Sequence, residues 1–277
     1  MACTAMANLD KERKMMKKHV TLALCAVALT GCFADPEPVE KIGTVENLYN
    51  DGMDELNTKE WDIAINTFEE LERQHPYSGW ATRAQMMVAY AEFRKGNMDE
   101  TVLAAERFIR AHPGHVDLPY MFYLVGLAHY LRISDVNRDQ AFTEQALLAF
   151  EELVRRYPDS EYAQDAKLKI TLCHDHLAGK EMMVGRYYQS QGRHLAALNR
   201  FKEVIQKYER TAQTPEALYR LTEAYLSIGL PEEAQKSASV LGHNFNNSDW
   251  YEKAYGLLVE RNLADEGAQE SFLKKIF

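Results

Sequence analysis

Residues 45–76 read VENLYNDGMDELNTKEWDIAINTFEELERQHP, and this stretch decides the fold. Small residues stand at Gly52 and Ala64. Large apolar ones stand at Leu48, Phe68 and Leu71, and Pro76 closes the segment. With Gly52 at position 8 of a 34-residue tetratricopeptide repeat, Leu48 falls at 4, Ala64 at 20, Phe68 at 24, Leu71 at 27 and Pro76 at 32. Two antiparallel helices approach closely only where small side chains face each other. The large residue at 24 fills the remaining gap, and the proline ends the second helix because the residue before it disfavours the α region.

The same grammar recurs along the chain. A second copy over 82–115 places Ala89 at position 8 and Phe108 at 27, with Lys95-Gly96-Asn97 as its turn; Thr101 and Ala105 at 20 and 24 make it imperfect. A third over 119–160 has Phe122 and Gly126, a turn lengthened between 133 and 143, and then Ala146, Phe150, Leu153 and Pro158 in register. A fourth over 161–211 carries Gly185, Tyr188, Ala197, Phe201 and Val204. No proline interrupts 161–191, so one long or gently broken helix is expected there. A fifth over 215–247 carries Leu218, Leu221, Tyr225, Ala234 and Leu241, with Pro231 in the first turn of its second helix and Glu232 and Glu233 near the positive end of the dipole. The reading is an all-α, right-handed solenoid of five helix pairs over 44–247, followed by a capping helix and a frayed tail in 248–277. Stacked pairs bury the faces that one pair leaves open, and the stack presents a concave groove, which is a binding surface.

The ends of the chain read differently. Lys14, Lys17 and Lys18 precede an apolar run over 20–30, too short for the ~20 residues of a membrane span. It ends in Leu29-Thr30-Gly31-Cys32, which resembles a bacterial lipobox. The resemblance implies that 1–31 is a lipoprotein signal peptide cleaved before Cys32. Cys32 is then acylated on sulfur and nitrogen, and several acyl chains give stable anchoring at ~0.8 kcal/mol per buried CH₂. Met15 or Met16 is an alternative start, because 1–13 is long for a polar leader. Phe33 in place of an Asp resembles an outer-membrane address. Residues 32–43 form a flexible tether with two prolines.

Composition excludes several classes. The 277 residues are 46% apolar and 26% charged, without a low-complexity tract. The signal holds a net +3, so a formal charge of −9 becomes −12 in the mature chain, which argues against nucleic acid as a partner. Only Cys173 remains as a free thiol, so no disulfide forms within the chain. His174 and His176 point about 200° apart on a helix, cannot chelate one metal, and are expected at the surface. His112 and His115 flank a Pro-Gly turn, and the pairs Glu69-Glu70 and Glu151-Glu152 are expected on solvated faces. There is no phosphate-cradling glycine loop, HExxH or GxSxG. The chain is therefore expected to be no enzyme, with no cofactor and no metal. Tyr77, Trp80, Tyr90 and Phe93 stand out as aromatics on or beside the first helix of the second repeat, where they would offer apolar pockets to an extended peptide.

The lipobox, tether and five repeats together resemble the BamD family of the bacterial β-barrel assembly (BAM) machinery. FIRAHPGHVDLPYMFYLVGL (108–127), DVNRD (135–139) followed by Ala141-Phe142, YPDSEY (157–162) with Asp165-Ala166, Tyr187-Tyr188 and Asn199-Arg200 carry the likeness. It implies a non-enzymatic scaffold lipid-anchored at the periplasmic face of the outer membrane. The N-terminal repeats would engage unfolded outer-membrane proteins, including an aromatic-ended C-terminal strand. The C-terminal repeats would dock on a POTRA domain of a BamA-like barrel protein through Arg200 beside Asn199, next to other BAM lipoproteins. The chain departs from familiar members in a shorter insertion and a tail after Asn247. The competing class is an envelope repeat protein that coordinates peptidoglycan synthesis, which would carry a coiled coil; no sustained heptads are present. A solenoid enzyme such as a lytic transglycosylase would need a further compact domain.

Overall fold

A computed structural model describes residues 43–264; the signal, the tether through residue 42 and the tail from 265 lie outside the described residues. Eleven helices and no strands make up the described residues. In chain order they are α1 (Val45–Asn57), α2 (Trp61–Gln74), α3 (Gly79–Lys95), α4 (Met98–Ala111), α5 (Leu118–Tyr130), α6 (Ala141–Arg156), α7 (Glu161–Ser190), α8 (His194–Lys207), α9 (Thr214–Ser227), α10 (Pro231–Asn244) and α11 (Asp249–Glu260). Each packs on the next. The first helices of successive pairs also touch, α1 with α3, α3 with α5 and α5 with α7, so they form one layer and the second helices the other.

Local chemistry sets the helix starts. Thr44, Ser78, Ser160 and Ser248 sit in extended backbone, and each accepts a hydrogen bond from the amide three residues on. Pro231 stands in the first turn of α10, ahead of Glu232 and Glu233.

The pairs lock through glycine against phenylalanine. A Cβ on Gly52, Gly126 or Gly185 would lie 2.7, 2.4 or 2.4 Å from a ring carbon of Phe68, Phe150 or Phe201. Those three rings are fully buried. In the second pair the bulk moves: Ala89 and Ala105 face each other and Phe108 fills the core one turn on. The expected long helix is a single 30-residue element, α7. Its first half packs Ala166 and Cys173 against Ala146, Phe150 and Leu153 of α6. Its second half pairs with α8 through Gly185 and Phe201.

The lengthened turn of the third pair, 131–140, is tied down on α7. The buried Gln140 is its hub. Its Nε2 donates to the carbonyls of Asp135 (3.3 Å) and Arg138 (3.0 Å), while its Oε1 accepts from Thr143 Oγ1 (3.0 Å) and lies 2.8 Å from His176 Nδ1. Lys180 Nζ donates to the carbonyls of Asn137 and Arg138. The surface expectation for His174 and His176 is therefore corrected: both are half-buried packing groups. His174 packs tilted against Tyr208 with ring centroids 5.7 Å apart, and its Nε2 lies 4.0 Å from Glu151 Oε1. His112 Nε2 meets Gln85 Oε1 at 2.7 Å, so that histidine joins α3 to the α4–α5 turn. The acidic pairs are only partly solvated. Glu70 is held by Arg73 and Gln74, and Glu152 by Arg155 and Arg156.

Candidate functional site

The first-helix layer carries a pocket of about 420 Å³ at its N-terminal end. Met53, Leu56 and Asn57 come from α1, Lys59 from the α1–α2 turn, Trp61 from α2, Met87, Tyr90 and Arg94 from α3, and Tyr120 from α5. Spacing on α3 puts Met87, Tyr90 and Arg94 on one stripe. Arg94 lies 5.2 Å over the Trp61 ring and 5.5 Å over the Tyr90 ring, and its Nη1 donates to the Tyr90 hydroxyl. Burial pushes the Tyr120 hydroxyl up to about 12, reinforced by Tyr90 and Tyr162. Beyond Tyr120 an aromatic row continues: Tyr162 lies 5.5 Å from Tyr120 and 5.3 Å from Tyr123.

The four aromatics singled out from sequence do not form one site. Tyr90 lines the pocket. Trp80 lies two to three turns away on α3, half-buried, tilted against Tyr49 at 4.8 Å and under Arg83. Tyr77 is fully exposed in the α2–α3 turn. Phe93 turns to the next core, with Ala89, Phe108 and Met121. Sequence reasoning passed over Met53, Trp61, Met87, Arg94 and Tyr120. The repeat register held the signal for some of them: Met53 and Tyr90 share position 9, and Tyr120 takes position 2.

Arg200 lies on α8 with 41% of its side chain exposed. Its Nη1 donates to Glu181 Oε2 of α7 at 3.0 Å, and Glu203 Oε2 stands 3.8 Å away. The Glu181 hydrogen bond raises the guanidinium's proton affinity further, so its charge is permanent. Asn199 beside it is exposed. Cys32 lies outside the described residues. Among the described residues no group of three or more His, Cys, Asp or Glu is placed to hold a metal, and no helix is long and apolar enough to cross a membrane.

Stacked helix pairs in this register define a tetratricopeptide-type solenoid. The chain belongs to the YfiO family of outer membrane lipoproteins, whose family model matches residues 42–241. Its relatives include proteins named outer membrane protein assembly factor BamD. The one from Caulobacter vibrioides is 46% identical over 93% of this chain and 88% of its own length. That of Rickettsia prowazekii is 40% identical over 88% of this chain and 98% of its own, and that of Neisseria meningitidis serogroup A is 36% identical over 84% and 91%. Among solved structures, a thermophilic TPR protein from Thermus thermophilus covers 78% of this chain at 18% identity, with a TM-score of 0.36. The MamA protein covers 80% at 15% identity, with a TM-score of 0.33.

Proposed function

We propose that this chain is a non-catalytic scaffold of the outer-membrane β-barrel assembly machinery, held at the periplasmic face of the outer membrane by acylated Cys32. The observation that carries the reading is its 46% identity, over 93% of its length, to a protein named for outer-membrane protein assembly. The pocket supports a receptor role for the N-terminal pairs toward unfolded outer-membrane proteins. It is wide enough for large side chains, and the aromatic row beyond it suits an extended peptide with alternate side chains turned inward. Arg200 supports a docking role for the C-terminal pairs, with a BamA-like POTRA domain as partner and other BAM lipoproteins nearby. Its ties to Glu181 and Glu203 hold the guanidinium in place while leaving it accessible to a partner carboxylate.

A mild-detergent pulldown of the tagged, lipidated protein tests this. The expected result is stoichiometric recovery of a POTRA-bearing barrel protein. Recovery of peptidoglycan synthases without that protein would replace the reading with the peptidoglycan one.

A further inference from the structure

The last helix, α11, is built like the first helix of a sixth repeat. In α3 and α9, repeat positions 3, 7 and 10 pack on the preceding pair and are buried: Ala84, Val88 and Ala91 in one, Ala217, Leu221 and Ala224 in the other. The same positions of α1, which has no pair before it among the described residues, are the exposed Asn47, Asp51 and Asp54. The α7 helix departs from the pattern, its first half being already packed on α6. In α11 the buried residues are Tyr251, Tyr255 and Leu258, with the same spacing. Gly256 therefore stands at position 8.

Position 8 faces the second helix of its own pair. It is buried in all five preceding pairs, as Gly52, Ala89, Gly126, Gly185 and Thr222, and a phenylalanine ring closes over each of the three glycines. Gly256 is exposed, and among the described residues a Cβ there would meet nothing within 4 Å. After it, Asn262 takes φ 57 and the Leu263 amide donates to the Leu258 carbonyl at 2.8 Å. Gly229 at φ 80, with Leu230 on Tyr225 at 2.9 Å, makes the same turn into α10; at Asn262 it comes one residue ahead of the repeat register. Gln235 Nε2 of α10 holds the Leu263 carbonyl at 2.8 Å, and Leu263 and Ala264 pack on the last core. The chain thus turns back from α11 onto the second-helix layer.

The sequence that follows carries the matching side chains. Gly52, Ala64 and Phe68 are spaced as Gly185, Ala197 and Phe201 are, and Gly256, Ala268 and Phe272 repeat that spacing. Leu273 and Ile276 fall on the same helical face as Phe272, although Lys275 takes position 27, which is apolar in the other pairs. Asp265 and Glu266 precede this stretch and Lys274 and Lys275 come late in it, as the helix dipole favours. We propose that residues 265–277 fold back as the second helix of a sixth pair, with Phe272 laid over Gly256. The docking face of α11 then takes a segment of its own chain. Because the two are covalently joined, no second molecule has to be immobilised to cover it.

Hydrogen exchange on the full mature chain in detergent tests this. Amides of 268–277 exchange at least ~10-fold more slowly than in Phe272→Asp, which keeps the segment and removes the ring. Gly256→Leu fills the same space from α11 and brings the segment to the Phe272→Asp rate, while α1 and α2 do not change. Gly256→Ala adds a readout of sign. Against a docked ring the methyl lowers the denaturation midpoint; on an open helix face it raises it, because alanine is the better helix former. A raised midpoint with an unprotected segment would overturn the proposal. A protected segment that Gly256→Leu does not release would put it on another surface and overturn the Gly256 assignment. Protection that fades on dilution would make the occupant the segment of a second copy and overturn the pairing within one chain.

Discussion

A glycine facing a phenylalanine sets the distance between the helices of three pairs. Gly126→Ala pushes a methyl to within 2.4 Å of the Phe150 ring, which has no free space to move into. Such overpacking costs about 1–3 kcal/mol. Adding Phe150→Leu restores part of the loss, because the second pair already runs on alanine at both positions. A double-mutant cycle by chemical denaturation checks the coupling; strict additivity would show that the two residues do not share the space. Lys59 runs the other way. Its left-handed backbone is costly for any residue with a Cβ, so Lys59→Gly raises stability by ~1 kcal/mol, read as a higher denaturation midpoint. The Gly–Phe pairs were legible because both residue types and their spacing stand in the sequence. Arg94 was not. Its contact with Tyr90 follows the i, i+4 spacing of one helix, but its place over Trp61 depends on how α2 and α3 converge, and spacing along one helix carries no sign of that.

Among the elements, the long turn of the third pair shows how an insertion becomes ordered. Its carbonyls, which a free loop would give to water, are satisfied by Gln140 and Lys180. Gln140→Ala takes a partner from the buried Thr143 hydroxyl and the half-buried His176, at a cost of about 1–3 kcal/mol. Amides of 131–140 then exchange faster with deuterium, while those of α1 and α2 do not change; uniform acceleration would mean that the residue supports the whole solenoid. Acid acts on other elements. Arg73 and Gln74 hold the Glu70 carboxyl at about 2, against an ordinary 4.5, and Lys169 with Tyr123 depresses Asp165. A carboxyl depressed in the folded state stabilises it above the unfolded value, and that contribution is lost as pH falls through the folded value. Between pH 4.5 and about 2 the fold therefore loses stability, and Glu70→Gln flattens the slope of denaturation midpoint against pH in that window. The absence of proline over 161–191 announced α7, and the repeat register announced most other helices. The long turn was also announced, but its attachment to α7 was not. Its hydrogen bonds to α7 join residues 36 to 43 positions apart, and that pairing has no periodic trace.

For the whole molecule, the proposed anchoring and docking are tested by separate substitutions. Cys32→Ala is expected to leave the protein soluble in the periplasm, checked by membrane fractionation. Arg200→Glu reverses a charge held by Glu181 and Glu203 and is expected to weaken recovery of the proposed barrel partner without unfolding the chain; unchanged co-purification would take Arg200 out of the proposed interface. The family and the overall architecture were legible in the sequence, but the grouping of four aromatics into one groove was not. Tyr77, Trp80, Tyr90 and Phe93 lie close along the chain, yet Tyr77 faces solvent in a turn, Trp80 and Tyr90 pack at separate places on the core of the first pairs, and Phe93 turns to the next core.

The 30-residue helix α7 has a further effect, on the order of unfolding. Repeat arrays lose their units roughly one at a time, because each touches only its neighbours. Here one rod of about 45 Å belongs to two units, so the third and fourth pairs cannot part without breaking a continuous helix in its middle. The array thus carries a rivet at its centre. Under load the end pairs are expected to fray first, and the junction between the two halves to melt last and as one.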